Sequence, residues 1–199
     1  MTLPVQRSGG FTMIEILVSL LLIVFGLLGM LGLQAQATVA EFESYQRGQA
    51  LILAQDMVDR INANRKAALC YATPTGDEWG SGTAATVCSN PTTGTPVLRA
   101  MADQDIAAWD DALKGAAERK GSSTGTRVGA ILFARGCVTL IDATTNTYRV
   151  AVAWQGMAPT ITADSIDAAA TCGKNKYGST DTVRREVGIT FRIANLTGA

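Results

Sequence analysis

Glu15 is the residue whose placement asks for chemistry. It heads Ile16 to Leu33, a run of 18 residues without a charge, and a carboxylate at the head of a membrane-length apolar segment is costly unless something positive meets it. Elsewhere the residue types narrow the choices. The chain contains no histidine, which removes the commonest general base and metal ligand. A serine-histidine-aspartate triad, a cysteine-histidine pair and His-containing zinc sites are therefore excluded.

Cys70, Cys88, Cys137 and Cys172 are widely spaced and form no C-x-x-C unit. An even count beyond a signal-like segment suits disulfides in an oxidising compartment. Four cysteines allow three pairings. Cys70 with Cys88 and Cys137 with Cys172 are expected, because the first two bracket one Gly/Thr-rich loop and the second two bracket a pair of strands and a loop. Free buried thiols acting as small hydrophobes are the other reading.

The remaining charged groups make weaker sites. Asp103, Asp105, Asp110 and Asp111 crowd one segment, and Asp164, Asp167 and Asp181 another. Neither has the pattern of a calcium loop, so capping and turn formation account for them and no metal or other cofactor is expected. Arg184, Arg185, Arg192, Lys174 and Lys176 read as solvated strand and loop ends rather than a nucleic-acid contact. Trp79, Trp109 and Trp154 read as core or loop anchors. Basic and acidic residues number 17 each, which leaves no polybasic footprint for nucleic acid or anionic lipid.

The elements that position these residues begin with the apolar run itself, about 27 Å of helix at about 1.5 Å per residue, enough to span the hydrocarbon core. Gly26, Gly29 and Gly32 recur along one side of it; such glycines let a neighbouring helix come close, although membrane helices are glycine-rich in any case. Arg7 before the run and Glu41 and Glu43 after it predict a short N-terminus inside and the bulk of the chain outside. From Gln34 to about Arg65 only Gly48 interrupts a helical pattern in which Phe42, Tyr45, Ile52, Leu53, Met57 and Ile61 form the apolar face.

Residues 70–96 read as a loop. A second helix is expected from Asp103, its cap, to about Arg119, with Ile106, Trp109, Leu113 and Ala116 in one stripe and Gly121 as the stop. Four strands are expected: Val128 to Ala134, Cys137 to Ile141, Tyr148 to Trp154 and Val187 to Ile193, the middle two joined as a hairpin through Asp142 to Asn146. The fold class is α+β: a long N-terminal helix, half membrane-spanning and half amphipathic, packed on an antiparallel sheet of about four strands. The organisation is 1–10 leader, 11–33 membrane helix, 34–65 amphipathic continuation and 66–199 globular domain.

Gly9-Gly10-Phe11-Thr12-Met13-Ile14-Glu15 ahead of an apolar helix resembles the class III signal of type IV prepilins. The stretches from Phe25 to Gln34 and from Leu53 to Arg65 resemble the PilV type of minor pilin. The resemblance implies a pilin-like fold and cleavage between Gly10 and Phe11 by the prepilin peptidase, with methylation of the new amino terminus. Removal of the leader with Arg7 leaves 16 basic against 17 acidic residues, a side-chain balance of −1. The resemblance further implies that Glu15 pairs with the Phe11 amine of an adjacent subunit, setting the axial register of a helix that could otherwise slide. It points to a non-enzymatic minor pilin that resides in the inner membrane with its C-terminal domain in the periplasm. Such a protein then enters the pilus, at or near the tip, and supports adhesion or twitching motility. Its partners would be other minor pilins, the major pilin and the inner-membrane assembly platform; nucleic acid is not expected.

Three other readings compete. An ordinary cleaved signal peptide would use Ala35-Gln36-Ala37 and start the mature chain at Thr38 or Val39, but the apolar run exceeds the usual length and Glu15 is out of place in it. A pseudopilin of a type II secretion system would share signal and fold; the glycine run and the Ala54 to Arg65 stretch favour the pilus. A membrane-tethered enzyme or DNA receptor is disfavoured by the missing histidine and basic groove.

Overall fold

The computed structural model describes residues 10–73, 77–82, 88, 93–116, 118, 120–122, 126–129 and 131–194. Arg7 and the rest of the expected leader up to residue 9 lie outside these. The chain divides into two compact units, Met1–Phe42 and Glu43–Ala199. Helix α1, Met13–Ala63, contributes to both. In the first unit it is exposed along its described length and mostly apolar, and it is long and apolar enough to cross a membrane. The absence of proline and the single acidic residue of the first turn, Glu15, favour the helix, since a negative charge there opposes the positive end of the helix dipole.

In the second unit α1 buries Gln46, Ala50, Ala54, Met57, Val58 and Ile61. This corrects the expected face: Met57 and Ile61 point inward, but Tyr45 and Ile52 are each 62% exposed, Phe42 of the first unit is exposed as well, and Leu53 is half-buried. The inward line follows the helical spacing of Gln46, Ala50, Ala54, Met57 and Ile61, in steps of three and four residues, and Tyr45 and Ile52 fall off that line.

A 3₁₀ segment, Arg65–Tyr71, follows, then β1, Trp79–Gly80, inside the stretch expected to be all loop. Helix α2 runs Pro96–Leu113. It starts earlier than expected because Thr95, not Asp103, caps it, accepting the Leu98 amide at 3.3 Å with Pro96 in the first turn. It also stops earlier, at Lys114 followed by Gly115 with φ +80. Ile106, Trp109 and Leu113 are buried as the stripe predicts, while Ala116 lies past the helix end.

The remaining elements are β2, Arg135–Asp142; β3, Thr147–Gln155; the short α3, Ala163–Ile166; and β4, Arg184–Arg192. The sheet is antiparallel throughout in the order β1-β2-β3-β4. The hairpin between β2 and β3 closes at residues 143–146, with Asn146 at φ +51. Asp142 organises that turn, accepting from the Thr144 amide at 2.8 Å and from the Thr144 and Thr145 hydroxyls. These bonds hold its carboxyl at about 2, below the ordinary 3.8. The expected strand Val128 to Ala134 is absent among the described residues; Phe133 sits at φ +51, which breaks an extended run, and Trp79–Gly80 takes the edge beside β2 instead.

One core forms between the helices and the sheet, with Met57, Ile61, Ile106, Trp109, Leu113, Val138, Val150 and Val152 all essentially inaccessible. Complete burial of each aliphatic side chain is worth about 1.5–3 kcal/mol. Trp79 meets Trp109 edge to face at 5.7 Å, and the Trp109 Nε1 donates to the Leu53 carbonyl at 2.8 Å. Gly136 is required here: a Cβ would lie 2.3 Å from the Trp109 ring.

Candidate assembly site

Three sets of residues determine what the chain can present to other molecules: the head of α1, the attachments of its second half to the domain, and the loops closed by cysteines. At the head, Phe11 is 80% exposed and Glu15 is exposed within the first helical turn, where its amide donates to the Thr12 carbonyl at 3.1 Å. Among the described residues no cation lies within ion-pair distance of Glu15. Gly10 precedes the helix, and Gly26, Gly29 and Gly32 lie within it; a Cβ added to any of the four would meet nothing within 4 Å.

The second half of α1 is held at both ends. Near its start, Glu43 Oε1 accepts the amides of Met157 and Ala158 at 2.9 and 3.4 Å and the Arg185 guanidinium at 3.3 Å. Arg185 in turn donates to the Ala158 carbonyl and the Thr160 hydroxyl, both at 2.7 Å. Near its end, Arg60 pairs with Asp56 at 2.9 Å and with Asp105 of α2 at 3.1 Å, and the Tyr71 hydroxyl donates to Asp105 at 2.6 Å. Burial, and then the hydrogen bond to Asp105, push the Tyr71 phenol up from its ordinary value. Asn64 completes this corner, donating to the Leu98 carbonyl at 2.7 Å.

Cys70 is bonded to Cys88, and Cys137 to Cys172. Glu78, between the first pair in sequence, accepts from Arg135 at 2.7 Å and from the Gly173 amide at 3.1 Å, so it ties the loop of one disulfide to the residue next to the other. Arg135 also lies over the Tyr177 ring at 5.9 Å, and the Tyr177 hydroxyl donates to the Phe133 carbonyl at 2.8 Å.

The acidic residues expected to serve capping and turns mostly make contacts across the fold instead; Asp167, which accepts the Ala169 amide at 2.9 Å, keeps a turn role. Asp103 accepts the Cys88 amide at 2.7 Å, and Asp110 the Gly80 amide at 2.7 Å while pairing with Lys114. Asp111 pairs with Arg127 at 2.8 Å. Asp164 and Asp181, however, converge with Glu186 on Arg184, at 3.2, 2.9 and 2.9 Å, and the same guanidinium donates to the carbonyls of Ala170 and Cys172. Arg184 is thus fully buried rather than a solvated strand end. Arg149 adds ion pairs to Asp167 at 3.0 Å and Glu186 at 3.4 Å, and Lys174 one to Asp164 at 2.9 Å. Nothing in a one-dimensional pattern marks Arg184 or Glu78, because every decisive partner except Asp181 and Glu186 is remote in sequence. Among the described residues no group of three or more His, Cys, Asp or Glu is arranged to hold a metal.

Residues 32–110, which carry the second half of α1 together with most of α2, match the family model of Tt1218-like proteins, described as type IV pilin Tt1218. The match supports a type IV pilin. It includes Gly32 but leaves Gly10, Phe11, Glu15, Gly26 and Gly29 outside, so the pilin reading and the signal-like head of α1 are independent observations. No curated protein and no solved structure matches the chain. The arrangement suits a pilin chemically: an apolar helix that can sit in lipid or among other helices, and a disulfide-closed domain stable in an oxidising compartment.

Proposed function

We propose that this chain is a minor pilin of a type IV pilus, of the PilV type, made with a leader that is cut between Gly10 and Phe11 and then methylated at the Phe11 amine. It waits in the inner membrane with its domain in the periplasm and is drawn into the filament, where it helps start assembly at or near the tip and supports adhesion or twitching motility. Its neighbours are other minor pilins, the major pilin and the assembly platform, and it performs no catalysis.

The observation that carries this reading is Glu15, an exposed carboxylate at the head of an otherwise uncharged membrane-length helix. A free Phe11 amine on an adjacent subunit supplies its counter-charge. Two unit charges 4 Å apart attract by about 1 kcal/mol in water and about 4 kcal/mol at an effective dielectric of about 20, before the cost of desolvation. The family match over residues 32–110 adds support of a coarser kind, for a pilin in general.

N-terminal sequencing of the protein from cells tests the first step: Phe11 is expected, and a start at Met1, Thr38 or Val39 contradicts it. Glu15→Gln should leave the amount in the inner membrane unchanged and reduce the amount in sheared pili. A deletion that abolishes type II secretion while pili persist would assign the chain to a pseudopilus instead.

A further inference from the structure

Strand β4 is the last in the sheet, and among the described residues its outer edge is unpaired over most of its length. The ladder to β3 runs without a bulge through nine residue pairs, from Arg184 opposite Gln155 to Arg192 opposite Thr147. Just beyond its two ends the Gly156 amide donates to the Val183 carbonyl and the Ile193 amide to the Asn146 carbonyl. Because antiparallel strands alternate, the odd-numbered residues of β4 therefore turn their backbone groups to β3, and the even-numbered ones turn theirs outward.

The described residues close only the start of that edge. The Thr182 carbonyl accepts the Thr160 amide at 2.8 Å and the Arg184 amide reaches the Asp181 carbonyl at 3.0 Å. Beyond them the outward amides and carbonyls of Glu186, Gly188, Thr190 and Arg192 have no backbone partner among the described residues. No proline and no bulge protects this stretch. It is the kind of edge that templates another strand.

We propose that this edge receives an extended strand from a neighbouring, non-identical pilin subunit, a partner that rests on the filament reading above. A second copy fits poorly. Pairing two β4 edges about a two-fold axis reverses every direction in the sheet plane, including that of the α1 segment packed on it, whereas subunits drawn from one membrane share one direction. A copy set side by side would offer β1 instead, which has two residues and whose Gly80 amide already donates to Asp110 at 2.7 Å. The partner strand runs antiparallel, continuing the sheet, and carries apolar side chains on the face of Val187, Ile189 and Phe191, which are half-buried beside the core. Opposite Arg192 it carries an acidic residue: that guanidinium is exposed, donates to the Thr145 carbonyl at 2.9 Å and has no carboxylate partner among the described residues.

Thr190→Pro removes one outward donor and blocks strand addition sterically, whereas Thr190→Ala keeps the backbone intact. The full-length variants, present in the membrane in equal amounts, are expected to differ in sheared pili by about tenfold or more, with alanine like the wild type. Hydrogen exchange of the full-length wild type guards against a folding defect in the proline variant. The amides of Glu186, Gly188, Thr190 and Arg192 should exchange fast in detergent and slowly in purified pili, while those of Val187, Ile189 and Phe191 are slow in both. Equal incorporation of the two variants with no added protection overturns the strand addition and leaves the pilin reading standing. A wild type absent from pili overturns both. Dimers in detergent that Thr190→Pro dissolves would assign the edge to a second copy and overturn the occupant proposed.

Discussion

Arg184 Nη1 lies 2.9 Å from Glu186 Oε2, two residues along the same strand and on the same face, with side chains 0% and 1% exposed. The pair is the centre of a charged cluster that joins β4 to the loop carrying Cys172, and its burial makes it sensitive to the loss of either member. Arg184→Met should lower unfolding stability by about 3–5 kcal/mol, because Asp181 and Glu186 would remain in place without their counter-charge. Urea unfolding of the variant checks this; a loss below about 1 kcal/mol would mean that the cluster is hydrated.

Burial pushes the Glu186 carboxyl up to about 7 from its ordinary 4.5, with Arg149 and Arg184 opposing the shift without cancelling it. The native state then holds this proton to a higher pH than the unfolded chain does. Stability should fall as pH rises from about 4.5 to about 7. The carboxyls of Asp142 and Asp164 act in the opposite sense: held at about 2, they contribute above their ordinary 3.8 and lose that contribution as pH falls through 2. Unfolding midpoints at several pH values should show the decline toward neutrality, and Glu186→Gln should flatten it.

Opening the Cys137–Cys172 bond should cost about 2–4 kcal/mol, since it closes a loop between residues 35 apart. Cys137→Ser with Cys172→Ser, compared with the wild type in denaturant, measures it directly. The Glu78 contact to Gly173 should keep the loop near its place in the variant, so limited proteolysis should become faster at residues 157–171 before it does at 173–177.

The face of α1 can be tested by opposite substitutions. Ala54→Leu should overpack the helix against the sheet and cost about 1–3 kcal/mol, whereas Ile52→Ser, on an exposed side chain, should change stability by no more than about 0.5 kcal/mol. Equal losses in thermal melts would show that both positions face the core.

Much of the architecture follows from short-range signals. α1 is legible because nothing breaks it, and the β2–β3 hairpin because Asp142 to Asn146 carries turn chemistry between alternating strands. What escaped depended on partners far along the chain. β1 is two residues in a stretch rich in glycine and threonine, and only its pairing with Arg135 and Gly136 of β2 makes it a strand. Val128 to Ala134 has the composition of a strand, yet a positive φ at Phe133 turns the chain. The inward side of α1 is hard to see in the sequence because large apolar residues outweigh Ala50 and Ala54 in a periodicity count. Of the candidate site, the cysteines and the head of α1 stand out by type and spacing, whereas Glu78 and Arg184 look like any other surface charge until their loops are folded over them.

Glu43 is the first residue of the second unit, and a single carboxylate oxygen there accepts the amides of Met157 and Ala158 as well as the Arg185 guanidinium. Because one oxygen serves all three donors, any shift of this end of the helical segment against Met157, Ala158 and Arg185 strains the three contacts together, and a change to Glu43 removes them at one stroke.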